Sequence, residues 1–293
     1  KNRSGADDLP LEQVQGVEKP VLSADRIATF AACPQRSFLS AVLGVDDTTR
    51  HYDDERLEGD EIGLLVHEAF SECIVAGAVN FSDLQQTLID LFVERVNRRG
   101  LDHPKIELEL GYLSRKIASF LANVSEFRKG MTIEAEYAFD NTKMAIGQRE
   151  AVFRGRIDRI DELEDGHIEI VDYKTGKPVS LAKSPIAFGD AIQGLLYALV
   201  YSHLTGKKVK CSSYCYVFST PPKSVDAKID DQARNELGKL IDAILDLYGH
   251  GLFPYTGDRC QWCPYLRICP ADSRSIWRKC KDQPELKQYS EVT

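Results

Sequence analysis

The sequence has no long hydrophobic run, and no charged segment followed by an apolar one opens it. Its longest apolar stretch, around residues 191–201, is interrupted by Gln193. That stretch is shorter than the ~20 residues that a membrane-spanning helix needs, and the start does not fit a secretory signal. We therefore expect a cytoplasmic protein that does not contact a membrane.

The sequence also lacks an excess of positive charge. It contains 37 Lys and Arg residues against 45 Asp and Glu residues, which gives a formal net charge of −8. A protein that holds nucleic acid by bulk charge needs the opposite sign, so any nucleic-acid contact must be local. No internal repeat, low-complexity tract or phosphate-binding G-x-x-x-x-G-K-[ST] motif is present, so a helicase would have to lie in another segment or chain.

The spacing of apolar residues changes along the chain, which predicts the fold class. Helical spacing dominates up to residue 128, and three alternating strands follow over residues 131–173, with an Asp165-Gly166 turn signal between the last two. Further elements are predicted as a helix at about 186–204, a strand at 209–218 and a helix at 230–248. The sequence thus predicts an α/β protein with a helical N-terminal part.

The same patterns suggest how the chain is divided. Residues 1–20 mix charge, Gly and Pro without periodicity and predict a flexible lead-in. A single domain is expected over residues 21–275, followed by a C-terminal tail over residues 276–293.

Four of the eight cysteines have the spacing of a metal centre. Cys260, Cys263 and Cys269 form a C-x2-C-x5-C run, and Cys33 lies near the opposite end of the chain. Such thiolates suit either a tetrahedral zinc ion or an iron–sulfur cluster, and their clustering favours metal binding in a reducing compartment over disulfides. If the four share one centre, the two ends of the chain must meet in space.

Two carboxylates and a lysine in the predicted strands form a second candidate site. Asp172 and Lys174 are two residues apart, so both side chains leave the same face of a strand. Asp158 lies on the preceding strand, where it can stand beside Asp172. Carboxylate oxygens that leave room for water and a phosphate are what Mg²⁺ or Mn²⁺ needs.

These motifs resemble those of the PD-(D/E)XK nucleases, and among them the RecB and AddB nuclease domains and the CRISPR-associated nucleases of RecB type. Residues 155–161, Gly-Arg-Ile-Asp-Arg-Ile-Asp, resemble the G-x-x-D-R-I-D strand, and residues 172–174 resemble the D-x-K strand. Gly63 to His67 resembles the G-x-x-x-H helix, and Gln193 to Tyr197 the Q-x-x-x-Y helix. The four cysteines resemble the iron–sulfur staple of the subfamily.

The resemblance implies a restriction-endonuclease-like core, in which a mixed central sheet is flanked by helices. It implies a metal-dependent deoxyribonuclease for DNA repair and recombination, which acts as an exonuclease on DNA ends or single strands through two-metal hydrolysis, with a helicase as partner or fusion. A CRISPR spacer-acquisition nuclease is the alternative within the family. The implied catalytic residues are Asp158, Asp172, Lys174, Gln193 and Tyr197.

The resemblance also implies two inorganic cofactors. His67, Asp158, Asp172 and the Tyr173 carbonyl would bind Mg²⁺ or Mn²⁺. Cys33, Cys260, Cys263 and Cys269 would hold a [4Fe-4S] cluster that pins the N-terminal segment to the C-terminal one.

Other charged residues lie near these motifs, and for some of them two interpretations remain open. Glu136 either extends the carboxylate set or is solvated, and we expect Asp140 and Asp161 at the surface. Three arginines either neutralise substrate phosphates or alternate on an exposed strand: Arg154, Arg156 and Arg159.

Two other function classes explain part of the pattern. A nuclease fold without catalysis could serve as a DNA-binding scaffold in a helicase–nuclease complex, but such a fold usually loses the acids or the lysine that are all retained here. An iron–sulfur redox protein would make the carboxylates incidental, but the sequence contains no second cluster motif.

Overall fold

The computed structural model describes residues 14–45, 57–75, 78–101, 104–123, 130–178, 192–256, 260, 263–269 and 273–292. Its strands are β1 (Val21–Leu22), β2 (Ile74–Val75), β3 (Ala78–Val79), β4 (Met131–Ala145), β5 (Glu150–Glu162), β6 (Ile168–Lys174), β7 (Val209–Tyr216) and β8 (Lys223–Asp226). Its helices are α1 (Ala24–Ala32), α2 (Pro34–Ser37) with a π-helical turn over Phe38–Val42, α3 (Gly59–Cys73), α4 (Phe81–Arg99), α5 (Pro104–Ala122), α6 (Ile192–Thr205), α7 (Asp231–His250), α8 (Ser273–Cys280) and α9 (Pro284–Val292).

A mixed sheet forms the centre of the described structure. β4, β5 and β6 form an antiparallel meander, and the predicted turn between β5 and β6 contains Gly166 with φ +75°. β6 and β7 are parallel and are joined through α6, while β8 pairs antiparallel to β7. β1 adds a short parallel pairing to β5. The predicted α/β fold, with a mixed central sheet flanked by helices, is confirmed.

The sheet separates two hydrophobic layers, and β6 contributes to both of them. Ile168 and Ile170 pack with α1, α6 and α7, whereas Val171 and Tyr173 pack with α3, α4 and α5. This division follows from the alternation of side chains along a strand. A strand covered on both faces reads as a nearly continuous apolar run, and the only charges within β6 before its last residue are the buried Glu169 and Asp172.

The expected surface position of Asp161 is wrong. Asp161 and Arg159 are 0% and 1% exposed, because α3, α4 and α5 cover the face of the sheet on which they lie. The interpretation of Arg159 as a residue of an exposed strand is wrong for the same reason. Asp140, by contrast, is exposed as expected.

The two ends of the described chain lie against each other. Tyr289 on α9 donates hydrogen bonds to the carbonyls of Phe30 and Ala31 at the end of α1. The segment that the sequence suggested as a tail is therefore largely helical and anchored to the core. Of the proposed lead-in, residues 1–13 lie outside the described residues, as do residues 186–191 of the predicted 186–204 helix.

No helix among the described residues is both long and apolar enough to cross a membrane.

Candidate nuclease-like metal site

The candidate site lies where β5 and β6 separate. The last paired residues of the two strands are Arg159 and Val171, so Asp158 and Asp172 come next on their respective strands. The Tyr173 N–H has no strand partner there and donates instead to Asp158 Oδ2 at 2.8 Å. The predicted proximity of the two aspartates therefore follows from the end of the β5–β6 ladder.

Lys174 connects Asp172 to α6. Its Nζ lies 2.6 Å from Asp172 Oδ2 and donates to Gln193 Oε1 at 2.6 Å. Gln193 Nε2 is 3.5 Å from the Tyr197 hydroxyl, one turn further along α6. The structure thus brings Asp172, Lys174, Gln193 and Tyr197 into one chain of polar contacts.

His67 reaches the site from the opposite side, on α3. Its Nδ1 lies 3.3 Å from Asp158 Oδ2. The packing of α3 on β6 fixes this approach, because the Phe70 ring lies 3.9 Å from the Tyr173 ring, centroid to centroid. His67 is therefore close to Asp158, as the motif predicted.

The predicted metal ligands gain a neighbour in Glu136 on β4. One ligand atom each from His67, Glu136 and Asp158 lie within 4.8 Å of one another. Glu136 has φ +52°, a left-handed conformation that is uncommon for a residue with a side chain. Its Oε2 is paired with Arg156 Nε at 2.7 Å. The sequence left two possibilities for Glu136, an additional carboxylate of the site or a solvated residue. The strand pattern could not predict the backbone conformation of Glu136.

Burial and like charge control the electrostatics of the carboxylates. Burial raises the pKa of Asp172, the negative charge of Asp158 raises it further, and Lys174 lowers it by less. Burial also raises the pKa of Glu136, with Arg156 opposing that shift. Acids that are costly to ionise in isolation are stabilised by a bound cation, so this set suits a divalent ion.

The two bases at the site are affected by the same acids. Burial lowers the pKa of His67, but the hydrogen bond to Asp158 and the charges of Asp158 and Asp172 outweigh it, so the pKa is raised. Burial lowers the pKa of Lys174, and the charge of Asp172 more than compensates, so this pKa is raised as well. Lys174 accordingly remains an ammonium group at neutral pH.

A cleft of ≈ 540 Å³ opens beside these residues. Its lining includes His67, Asp158, Gln193, Tyr197, Arg154 and Arg156. Gly155 is required at its wall, because a Cβ there would lie 2.6 Å from Phe139 Cζ and 2.9 Å from Tyr197 Cε1. The volume of the cleft exceeds that of a phosphate and a sugar. Two arginines lie on its wall together with two of the predicted metal ligands, His67 and Asp158.

A buried network, which consists of Thr132, Arg159, Asp161 and Tyr173, supports the site from the opposite face. Arg159 Nη1 donates to the Tyr173 hydroxyl at 2.7 Å, and Arg159 Nε lies 3.1 Å from Asp161 Oδ1. Thr132 donates to the same Asp161 oxygen at 2.7 Å. Tyr173 is therefore held by hydrogen bonds at its hydroxyl and at its backbone N–H. Arg159 is not available to a substrate phosphate.

The four motif cysteines form a second cluster. Burial raises the pKa of Cys269 to about 11, and the charges of Cys263, Cys33 and Cys260 contribute to that shift. Such contributions require the sulfur atoms of these three residues to lie near that of Cys269, and all four side chains are partly buried. The predicted meeting of Cys33 with the C-terminal cysteines is therefore what the structure has.

Backbone contacts hold the same two segments together. Cys33 lies at the junction of α1 and α2, and the Gln35 N–H donates to the Pro254 carbonyl at 3.2 Å. Thr256 donates to the carbonyl of Ala32, and Tyr265 to that of Val45, both at 2.9 Å. These contacts hold the segment that contains Cys33 next to the segment that contains Cys260.

Comparisons with known proteins agree with these features. The model of the PD-(D/E)XK nuclease superfamily matches residues 21–270. The chain is 25% identical, over 258 residues, to the B-type subunit of the ATP-dependent helicase/deoxyribonuclease from Carboxydothermus hydrogenoformans, and the match covers 79% of this chain and 23% of that protein. It is 26% identical to the B-type subunit from Moorella thermoacetica, with 67% and 19% covered.

A helicase/nuclease subunit of a second type is also similar. The A-type subunit of the ATP-dependent helicase/nuclease from Streptococcus pyogenes is 32% identical over 148 residues, with 47% of this chain and 11% of that protein covered. The chain thus spans less than a quarter of the length of these relatives.

Proposed function

Because the chain belongs to the PD-(D/E)XK nuclease superfamily, as its motifs predicted, we propose that it is a divalent-cation-dependent deoxyribonuclease. The fold is the restriction-endonuclease-like core that the resemblance implied. The single observation that carries the proposal is the convergence of His67, Asp158, Asp172 and Lys174 at the separating ends of β5 and β6. Acids, an imidazole and an ammonium group gathered beside one cleft are the groups that phosphodiester hydrolysis needs.

The residues present fit Mg²⁺ or Mn²⁺. Oxygen and imidazole ligands suit these ions, and Oδ1 of the buried Asp172 has no hydrogen-bond partner among the described residues. Asp158, Asp172, His67 and the Tyr173 carbonyl are the proposed ligands. When bound, the ion would polarise the scissile phosphate and lower the pKa of a bound water.

The remaining residues position the reactants. Lys174 donates to the attacking water or to a phosphate oxygen, as an ammonium group can. Gln193 fixes Lys174 through its 2.6 Å hydrogen bond, and Tyr197 lies next to Gln193. The products would be a 5′-phosphate and a 3′-hydroxyl, as the resemblance implies.

The proposed substrate is a DNA strand with a free end, bound by local charge. The net charge of −8 excludes bulk attraction, whereas Arg154 and Arg156 stand on the cleft wall where phosphates adjacent to the cleaved one would pass. The relatives are named as subunits of ATP-dependent helicase/nucleases. We therefore propose a helicase, on another segment or chain, as the partner, and repair of DNA breaks as the process.

The test uses single-stranded and duplex DNA labelled at either end, with Mg²⁺ or Mn²⁺. The wild-type chain is expected to shorten at least one labelled strand, and the product lengths give the polarity and the endonucleolytic or exonucleolytic mode. Asp158→Ala and Lys174→Ala are expected to reduce cleavage by about 10²-fold or more. Asp165→Asn and Lys210→Ala, which alter an exposed ion pair at the β5–β6 turn, are the matched controls.

Three outcomes of this assay have different meanings. DNA that stays intact with both ions would contradict the nuclease, and binding without cleavage would indicate the scaffold instead. Equal losses in the site and the control variants would show that the reduced cleavage comes from general damage to the protein.

We further propose that Cys33, Cys260, Cys263 and Cys269 hold a [4Fe-4S] cluster that joins the two chain segments. Four thiols on neighbouring segments fit such a cluster, and they fit zinc equally well. Iron and acid-labile sulfide analysis, with the visible spectrum, distinguishes the two. Zinc without iron in protein purified under anaerobic conditions would contradict the cluster.

A further inference from the structure

We propose that Glu136 is an additional ligand of the catalytic cation, and that Arg156 is an internal counter-ion that occupies Glu136 until the cation binds. The inference rests on the proposed function, because it concerns the same cleft. It adds a β4 residue to a ligand set that the motifs draw from α3, β5 and β6 alone. It also gives Arg156 two successive partners, the Glu136 carboxylate and then a substrate phosphate.

The first support is the distance between the donor atoms. His67, Glu136 and Asp158 each offer an atom within 4.8 Å of the other two, which is close enough for one ion to contact all three. Asp172 adds a carboxylate that is 1% exposed and whose charge influences His67. Its Oδ1 is buried without a hydrogen-bond partner in the described part of the chain, as expected for an oxygen whose partner is an ion.

The second support is the local path of β4. On β4, Ala135 and Tyr137 pair with Arg159 and Ile157, so Glu136 lies directly opposite Asp158 on β5. Residues that lie opposite each other on antiparallel strands bring their side chains close together. The Glu136 carboxylate therefore lies near Asp158, a residue of like charge, and it does so with the uncommon φ of +52°.

The third support is the unequal burial of the Glu136–Arg156 pair. The Arg156 side chain is 58% exposed and the Glu136 side chain 21%, although their charged atoms are 2.7 Å apart. The guanidinium can therefore move into solvent while the carboxylate stays in place. A compact dication among two carboxylates and an imidazole gains more from them than one exposed guanidinium does from Glu136 alone. Arg156 is then released beside the cleft that it lines.

The experiment measures Mn²⁺ affinity directly, by isothermal titration of the full chain without DNA, so the readout does not depend on cleavage. Mn²⁺ prefers oxygen and nitrogen ligands, so the cysteines do not compete for it. Glu136→Gln is expected to weaken Mn²⁺ binding by about 10-fold or more. Arg156→Gln is expected to tighten it by roughly two- to fivefold, the size of an exposed ion pair.

The double variant, Glu136→Gln with Arg156→Gln, tests whether Arg156 affects the cation through Glu136. If Arg156 acts by occupying Glu136, Arg156→Gln has no effect on Mn²⁺ affinity once Glu136→Gln is present. Glu134→Gln, an exposed acid two residues earlier on β4, and Arg149→Gln, whose partner is Asp246, are the charge-matched controls. Both controls are expected to bind Mn²⁺ as the wild type does, and thermal melting without metal confirms that each variant is folded.

The inference and the proposed function fail in different ways. An unchanged Mn²⁺ affinity in Glu136→Gln, together with a weakened affinity in Asp158→Asn, overturns the ligand role of Glu136 and leaves the nuclease standing. Arg156→Gln binding that is weaker than wild type overturns the counter-ion role. If Asp158→Asn also binds Mn²⁺ normally, the metal site itself is wrong, and both proposals fall together.

Discussion

The acids and the lysine beside the cleft, Asp158, Asp172 and Lys174, lie on the opposite face of β5 and β6 from the buried network, and each group contains at least one aspartate and a cation. Beside the cleft, burial and the negative charge of Asp158 raise the pKa of Asp172, and Lys174 compensates only in part. In the buried network, Arg159 has both a hydroxyl and a carboxylate partner, and Thr132 supports that carboxylate. The first arrangement sets two acids against one lysine, whereas the second sets its one acid, Asp161, against one arginine. The first therefore has more negative charge for a bound cation to compensate.

The comparison predicts that the two regions separate activity from stability. A change of a charged group beside the cleft should alter chemistry and leave folding intact, while a change in the buried network should alter folding first. Three substitutions test this difference and one tests the packing of the cleft wall, in order of decreasing expected effect.

Asp158→Asn is expected to have the largest effect, on activity alone. It removes a proposed metal ligand, so the cleavage rate should fall by about 10³-fold, which equals about 4 kcal/mol of barrier. The asparagine oxygen can still accept from the Tyr173 N–H, and repulsion of Asp172 is relieved. The free energy of unfolding, measured in urea, should therefore be unchanged or higher. A large loss of stability would contradict the view of the cleft as a repulsive site.

Arg159→Met is expected to reduce the free energy of unfolding by about 3 kcal/mol or more, because it leaves Asp161 as a buried acid without its cation. Urea denaturation measures the change. The second variant, Arg159→Met with Asp161→Asn, removes that charge and should recover part of the loss. A single variant as stable as wild type would show that Asp161 does not need the charge of Arg159.

Gly155→Ala is expected to reduce the free energy of unfolding by about 2 kcal/mol, because its Cβ would overlap the Phe139 and Tyr197 rings. Thermal and urea unfolding measure the loss. Gly166→Ala is not a suitable control because φ is positive there, but Gly176→Ala is, since a Cβ at Gly176 would meet nothing within 4 Å. Equal effects of the two substitutions would contradict the close packing at the cleft wall.

Arg156→Gln is expected to change the free energy of unfolding by less than ~0.5 kcal/mol, since its guanidinium is mostly exposed. The same urea titration, run beside Arg159→Met, compares two arginines three residues apart on β5. Similar losses for both would remove the distinction between the two faces of this strand.

The sequence predicted the candidate site well for a local reason. Asp172 and Lys174 are two residues apart on a strand, and Gln193 and Tyr197 are one helical turn apart, so short spacings already place each pair on one face. The contact between His67 and Asp158 required the family resemblance, because nothing in residues 63–67 alone indicates which strand α3 will cover.

The errors arose where a tertiary layer decides the outcome. The alternation of β5 predicts that Arg159 and Asp161 share a face, but not that α3, α4 and α5 cover it. β1 and β8 contain only two and four residues, too few for a recognisable sequence pattern. They pair with the longer strands β5 and β7, which offer them a sheet edge. Glu136 has a positive φ within a long strand, which the alternation of residues along β4 cannot reveal.

The contact of Tyr289 with the end of α1 has a consequence for the order of biosynthesis. The residues that it joins are more than 250 positions apart, so α1 leaves the ribosome long before α9 has been made. Ser23 and Asp25, at the start of α1, border the cleft. The contact of Tyr289 with α1 can therefore form only after Asp158, Asp172 and Lys174 have all been synthesised.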